Sequence, residues 1–280
     1  MSEYDEEVVP IRQAATVMLV ADRPDLQVFM MERNANMVFG PGMWVFPGGS
    51  VDDMDDPVRF QHISIRRSDD QASELIGVKR GGLAYYIAAI REAFEEAGIL
   101  LALDRNTREP VDLKAPNTAA RFARHRDDIN SGSRDFMDVI DEENLILDAG
   151  EMHYVARWIT PVGPPRRFDA RFFVARMPPR QVPIHDDSEL VHSRWLQPGE
   201  ILRRCEAEEM TLMGPTLRMV KSLARFNSAE DVIASASQNL ADERARVDAS
   251  REIVLPGDPG YDTADESIEN GWIRLRPLAK

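Results

Sequence analysis

The 280-residue chain predicts an α+β fold, with one sheet and helices packed on it, from three features. Residues 13–33 hold two Val-, Leu- and Phe-rich segments joined by a polar Asp-Arg-Pro-Asp turn, the pattern of a hairpin. Residues 83–99 space their apolar side chains by three and four, as a helix does. Two later runs, 153–161 and 167–178, are rich in aromatic and β-branched residues and bounded by prolines, so strands resume after a helical middle. Hydrophobic residues make up 43% and charged residues 29%, which places the chain among ordinary globular proteins, read here as one domain with additions.

After the hairpin, Gly40, Pro41, Gly42, Pro47, Gly48 and Gly49 surround a short aromatic strand, Trp44–Phe46. Such dense punctuation indicates a backbone that bends closely around something. Residues 56–82 are polar and carry Arg66, Arg67, Lys79 and Arg80, and read as an insertion. In the helix that follows, Ile87, Ile90, Phe94 and Ala97 form one buried stripe, with Gly98 as its stop. Residues 117–147 predict two helices, "TAARFARHRDDI" and "SRDFMDVIDEENLIL", broken at Ser131–Ser133. "SRWLQPGEIL" predicts a strand leading into a helix, and "MGPTLRMVKSLARF" an amphipathic helix. Past residue 240 the chain is polar and punctuated by Gly and Pro, as a wrapped or mobile tail would be. The expected division is a domain over 10–225 and a helix end with polar tail over 226–280.

A formal net charge of −14 argues against a nucleic-acid binder, which needs a positive surface, and favours a site that works with cations. Cys205 is the one cysteine, so an intrachain disulfide is excluded and a reducing cytoplasm is the expected home. The opening "MSEYDEEVVP" lacks the basic and apolar regions of a secretory signal. No apolar run approaches the length of a membrane span, so no membrane partner is expected.

On the helix, Glu92, Glu95 and Glu96 project from one side while Ile90, Phe94 and Ala97 face the core. A Glu-rich face is usually just solvated. Here it accompanies a bent glycine segment, and together they offer carboxylate and carbonyl oxygens to a hard divalent cation such as Mg²⁺ or Mn²⁺.

At these residues the sequence resembles the Nudix hydrolases, whose signature runs G, five residues, E, seven residues, R-E-U-x-E-E-x-G-U, with U a bulky aliphatic. "REAFEEAGI", Arg91 to Ile99, fits the second half at its fixed positions, with Ala93 a small first U. Gly49 fits the opening glycine, and Asp55 stands where the pattern has Glu. The spacer from Asp55 to Arg91 is about 28 residues longer than the pattern, so the box resembles one split by an insertion. "ERNANMVFGPGMWVFPGG", "WITPVGPPRRFDARFFVA" and "ELVHSRWLQPGEIL" are similar to segments of a Nudix branch that includes coenzyme A diphosphatases.

The resemblance implies a Nudix α/β/α sandwich with a mixed sheet, an insertion inside the box and extra helices. It also implies metal-dependent hydrolysis of the pyrophosphate in a nucleoside diphosphate linked to another moiety, with coenzyme A or its thioesters as the leading substrate. ADP-ribose, NADH or a dinucleoside polyphosphate is the alternative, and a non-catalytic nucleotide sensor a further one. Glu92, Glu95 and Glu96 become the expected metal ligands with the Gly49 carbonyl, and Arg91 the group that orients Glu95. The general base is either a box glutamate, Glu92 foremost, or a residue of "HDDSE", with Glu189 and His185 as candidates. Arg166 and Arg167 suit phosphate oxygens or a salt bridge to Asp169. Arg33 has the same choice, with ion pairing the weightier reading. Trp44, Phe46 and Phe168 either stack on a base or sit in the core. Arg66, Arg67, Lys79 and Arg80 are candidates for a 3′-phosphate. Many Nudix enzymes are dimers, which suggests a homodimer.

Overall fold

The computed structural model describes residues 9–37, 40–184, 190–265, 268 and 270–278. Strands β1 (Ile11–Asp22) and β2 (Leu26–Arg33) pair antiparallel as the hairpin pattern predicts. The glycine-punctuated segment yields two very short strands, β3 (Trp44–Val45) and β4 (Gly48–Ser50). β3 pairs with β2, while β4 lies along β1 with Gly49 opposite Ala15. The insertion folds into α1 (Pro57–Phe60) and α2 (Asp69–Ile76), followed by the glutamate-bearing helix α3 (Gly82–Ala97).

Next come β5 (Ala102–Asp104), α4 (Pro116–Asn130), α5 (Phe136–Glu142) and β6 (Leu145–Leu147). The sequence predicts helix through Leu147. Instead Asn144 takes a left-handed φ of 51°, which Asn tolerates better than most residues, and Leu145–Leu147 pairs with β5. Strands β7 (His153–Ile159) and β8 (Arg167–Arg176) are antiparallel, and β8 runs parallel to β1 from Ile11↔Arg167 to Val20↔Arg176. That parallel pair makes the sheet mixed. Strand β9 (Leu190–Leu196) pairs with β2 and leads into α6 (Pro198–Glu206), α7 (Gly214–Leu223) and α8 (Ala229–Ser237). Beyond residue 240 lie β10 (Glu243–Arg244), β11 (Arg246–Val247), β12 (Ile253–Val254) and β13 (Gly271–Ile273). β13 pairs with β7, and β10 with β13, so this segment extends the main sheet.

Among the described residues the main sheet runs β10-β13-β7-β8-β1-β2-β3, with β4 on β1 and β9 on β2. Alternation along the strands sends Val17, Leu19, Phe29 and Phe173 to one face, against α3. Met18, Val20, Met30 and Val174 go to the other, against α7 and α8. Helices therefore cover both faces, and the sandwich expected from the box is the fold of the chain. Among the described residues no helix is long and apolar enough to cross a membrane.

Helix α3 departs from its predicted single stripe. From Gly82 to Arg91 every residue is buried, because the sheet covers one side and α2 of the insertion the other. Small residues permit this approach. A Cβ on Gly82 would stand 2.3 Å from the Ser73 nitrogen. The insertion also caps the helix. Gly81, at the N-cap, has no side chain to offer, so the Asp69 carboxylate accepts from the N–H groups of Gly81 and Leu83 at 2.9 Å each, and Ser73 Oγ accepts from Gly82 N–H at 2.9 Å. These are the donors a helix start leaves unpaired.

Two predictions follow from this packing. Asp69→Ala should lower unfolding stability by about 1–2 kcal/mol, as loss of an N-cap does, read from urea denaturation with an unchanged slope. His153 is the second case. Burial, helped by the nearby Arg67 charge, depresses its pKa to about 4, against roughly 6.5 in an unfolded chain. The unfolded state therefore binds the proton first, so stability is full above about pH 6.5 and falls as pH drops through about 4. The urea midpoint should decline over that window in the native chain and decline less in His153→Gln.

Candidate active site

The turn after β4 and the last two turns of α3 meet at one guanidinium. Arg91 Nε donates to Asp55 Oδ1 at 2.9 Å and Nη2 to Asp55 Oδ2 at 3.1 Å. Its Nη1 donates to Glu92 Oε1 at 2.9 Å and Glu95 Oε2 at 3.1 Å, and Nη2 reaches the Ser50 carbonyl at 3.1 Å. Asp52 lies 3.4 Å away. Arg91 is 7% exposed and Asp55 1%, so this is a buried, bidentate pair.

Glu96 turns to the other strand-end glycine, its Oε2 accepting from Gly48 N–H at 2.9 Å. Glu92 lies so close to Gly49 that a Cβ there would stand 2.4 Å from Glu92 Oε1. The structure thus brings the two halves of the split box together: Gly48, Gly49 and Asp55 on one side, and Arg91, Glu92, Glu95 and Glu96 on the other. Glu92 and Glu95 share Arg91 while Glu96 is held by the backbone, so protein donors orient the three rather than gathering them on one point. Arg126, from α4, completes the frame. It donates to the Glu95 and Glu96 carbonyls at 2.7 Å each, a cation at the negative end of the helix.

Burial raises the Asp55 pKa, with the bidentate Arg91 contact opposing the rise. Burial also raises Glu95, and pushes Glu92 up to about 7, with Arg91 opposing. Asp55, Glu92 and Glu95 together set three carboxylates against the one guanidinium they share. Surplus negative charge, an oxygen-only donor set and a backbone stripped of Cβ at Gly49 suit a hard divalent cation.

Other expected residues lie elsewhere. Phe46 is 3% exposed and Trp44 8%, both packed among Met30, Leu196 and Met210, so they belong to the core and are not free to stack on a base. Arg166 is exposed at the start of β8, and Arg167 Nε donates to the Thr160 carbonyl at 3.1 Å. Asp169 pairs with neither; it takes Arg157 at 2.8 Å and Arg171 at 2.5 Å. Arg33 keeps a buried Nε without a partner among the described residues. Arg66 pairs with Asp148 at 2.5 Å and Glu151 at 3.0 Å, and Arg67 lies over the Tyr86 ring. Both insertion arginines are thereby engaged within the fold, whereas Lys79 and Arg80 are exposed. Glu189 and His185 lie outside the described residues.

Sequence reasoning gave His125 no role, yet it lies with Glu142 and Glu143 in a trio whose ligand atoms fall within 4.8 Å of one another. Arg121 holds Glu143 at 2.5 Å, and Arg134 holds Glu142 and reaches His125 Nδ1 at 2.9 Å. Guanidinium charge already occupies that cluster, which makes it an ion-pair network tying α4 to α5. Asp52 and Arg126 were also missed. Asp52 lies within the split box, but nothing local links residue 126 to residues 95 and 96.

Comparison with known proteins agrees with this geometry. A family model described as the NUDT19 Nudix domain matches residues 54–223. Acyl-coenzyme A diphosphatase NUDT19 of Homo sapiens is 29% identical over 268 residues, covering 79% of this chain and 70% of the human protein. The Gallus gallus protein of that name is 26% identical over 266 residues, with the same two shares. Among solved structures, a NUDIX hydrolase from Alicyclobacillus acidocaldarius superposes with a TM-score of 0.63 at 27% identity, over 81% of this chain and 97% of that one.

Gly49→Ala should push the Glu92 carboxylate off its place beside the backbone. We expect Mn²⁺ affinity, measured by calorimetric titration, to fall by about 10-fold or more, with far-UV circular dichroism unchanged.

Proposed function

The chain belongs to the NUDT19 Nudix family, and from that premise we propose that it cleaves the diphosphate of coenzyme A or its acyl thioesters, with Mg²⁺ or Mn²⁺ held at the box. That it is a Nudix pyrophosphohydrolase follows from the family itself. The substrate and the metal are the proposal. The observation that carries them is the convergence of Glu92 and Glu95 on Arg91, beside the Gly48–Gly49 strand that Glu96 clasps. Support for the substrate comes from the relatives, whose name is acyl-coenzyme A diphosphatase.

A divalent cation bound there supplies Lewis-acid chemistry, lowering the pKa of bound water and neutralising phosphate oxygens. The rest falls to the chain's own groups. Glu92, whose carboxylate lies against Gly49 and Arg91, is the box residue assigned to take the proton of the attacking water at its carboxylate oxygen. Glu95 and Glu96, with Glu92, would hold the cation. Arg91, anchored by Asp55, fixes the rotamers of Glu92 and Glu95. Water attack on phosphorus breaks the P–O–P bridge and gives adenosine 3′,5′-bisphosphate and 4′-phosphopantetheine from coenzyme A.

Glu95→Gln is nearly isosteric and should stay folded. It should reduce turnover of coenzyme A by at least about 100-fold, in line with the loss of several kcal/mol of transition-state stabilisation. Mass spectrometry of the products from coenzyme A, ADP-ribose, NADH and a dinucleoside polyphosphate, each with Mg²⁺ or Mn²⁺, checks both claims. Turnover of ADP-ribose or a dinucleotide well above that of coenzyme A would replace the substrate. An undiminished Glu95→Gln enzyme would remove the assigned site.

A further inference from the structure

A cavity of about 460 Å³ opens directly on Arg91 and Glu95, between the split box and its insertion on one side and the α4–α5 connection on the other. Its volume lies in the range of small-molecule sites. Phe60 and Phe136 form its apolar base, their rings 6.3 Å apart and stacked, and Met54 and Ile129 add to it. Met54 is 49% exposed, an apolar side chain left at the mouth.

The charges around this cavity restrict its occupant. Asp52, Asp135 and Asp138 line it. Among the described residues its two cationic side chains are already engaged, Arg91 by Asp55, Glu92 and Glu95, and Arg134 by Glu142. A phosphorylated nucleoside entering here would meet carboxylates without a free cation. An uncharged chain bearing amide N–H donors would meet acceptors and an apolar base. Coenzyme A has one end of each kind: beyond the diphosphate on one side stands a phosphorylated adenosine, and on the other an uncharged arm with two amides and a thiol or thioester.

We therefore propose that this cavity is the subsite for the pantetheine arm, an assignment that rests on the coenzyme A reading above. The insertion then has a function in recognition. Arg59 of α1 reaches Asp135, the N-cap of α5, at 2.5 Å, and also donates to the Met54 carbonyl at 3.3 Å. This strap ties the insertion to the opposite wall and sets the width of the slot through which the arm passes.

The test fills the slot from its exposed rim and weighs each half of the substrate separately. Met54→Trp and, from the facing wall, Ser133→Trp change exposed positions, so two independent variants guard against one failing to fold. Calorimetric titration with 4′-phosphopantetheine and with adenosine 3′,5′-bisphosphate is run beside steady-state kinetics on coenzyme A. We expect binding of 4′-phosphopantetheine to weaken by about 10-fold or more in both variants, the equivalent of losing about 1.4 kcal/mol of apolar contact. Binding of adenosine 3′,5′-bisphosphate should stay within about twofold, and KM for coenzyme A should rise with kcat little changed. Equal loss for both halves, loss for the adenosine half alone, or no loss for either overturns the subsite. The two readings fail separately. A chain that cleaves coenzyme A with unaltered KM in the variants keeps its function and loses the subsite. One that binds 4′-phosphopantetheine in a variant-sensitive way without cleaving coenzyme A keeps the subsite and loses the substrate.

Discussion

The buried contact between Arg91 and Asp55 is what the site depends on. A guanidinium has five N–H donors in a rigid plane. Here they serve both oxygens of Asp55, one oxygen each of Glu92 and Glu95, and the Ser50 carbonyl. Two chain segments far apart in sequence are joined through this one planar group. A lysine carries the same charge on a compact, three-donor ammonium and could not span that set of acceptors. Such a pair adds little net stability against an apolar replacement, since both charges lose water. Its contribution is orientation: it holds Glu92 and Glu95 in one arrangement and leaves negative charge in excess.

The aspartate at this position is one methylene shorter than the glutamate of the Nudix pattern, yet both its oxygens engage Arg91. Asp53–Asp55 is a single 3-10 turn, and Asp52 N–H donates to Asp55 Oδ2 at 2.9 Å. From this turn the shorter side chain reaches the arginine at 2.9 and 3.1 Å. The insertion that follows begins at once with α1, capped by Asp56. Lengthening a loop costs little closure entropy, and here the added residues pack, with Phe60, Ile63, Ala72 and Ile76 buried against α3. The insertion thus supports the helix along its side, caps its start through Asp69 and Ser73, and forms one wall of the slot beside Glu95.

Local periodicity and turn chemistry made the hairpin, the glutamate face and the helix stop at Gly98 legible in the sequence. Contacts between distant segments were not legible. Arg126 could have served any carboxylate or carbonyl, and only the packing of α4 places it on the last carbonyls of α3. The aromatic residues by the glycine turns carried two readings, and burial among Met30, Leu196 and Met210 decided for the core in Trp44 and Phe46. Residues after 240 look polar because alternate positions face water, yet Ala245, Leu255, Ile273 and Leu275 are buried against the sheet. In strands of two or three residues, that alternation is too short to register as a pattern.

The adjacent glycines at 48 and 49 show why a motif can be recognised before its parts are understood. A Cβ on Gly48 would lie 2.5 Å from the Ala15 carbonyl oxygen and 2.7 Å from Thr16 Cα. Those are backbone atoms of the neighbouring strand, unable to move aside, so Gly48 serves the fold. A Cβ on Gly49 would instead meet the Glu92 carboxylate, a side chain that can move, but only by leaving Arg91. Gly49 therefore makes room for the Glu92 carboxylate. In sequence the two are the same letter side by side. What separates them is the neighbour each was made small for, one a strand that carries the sheet and the other a carboxylate that has to stay where Arg91 holds it.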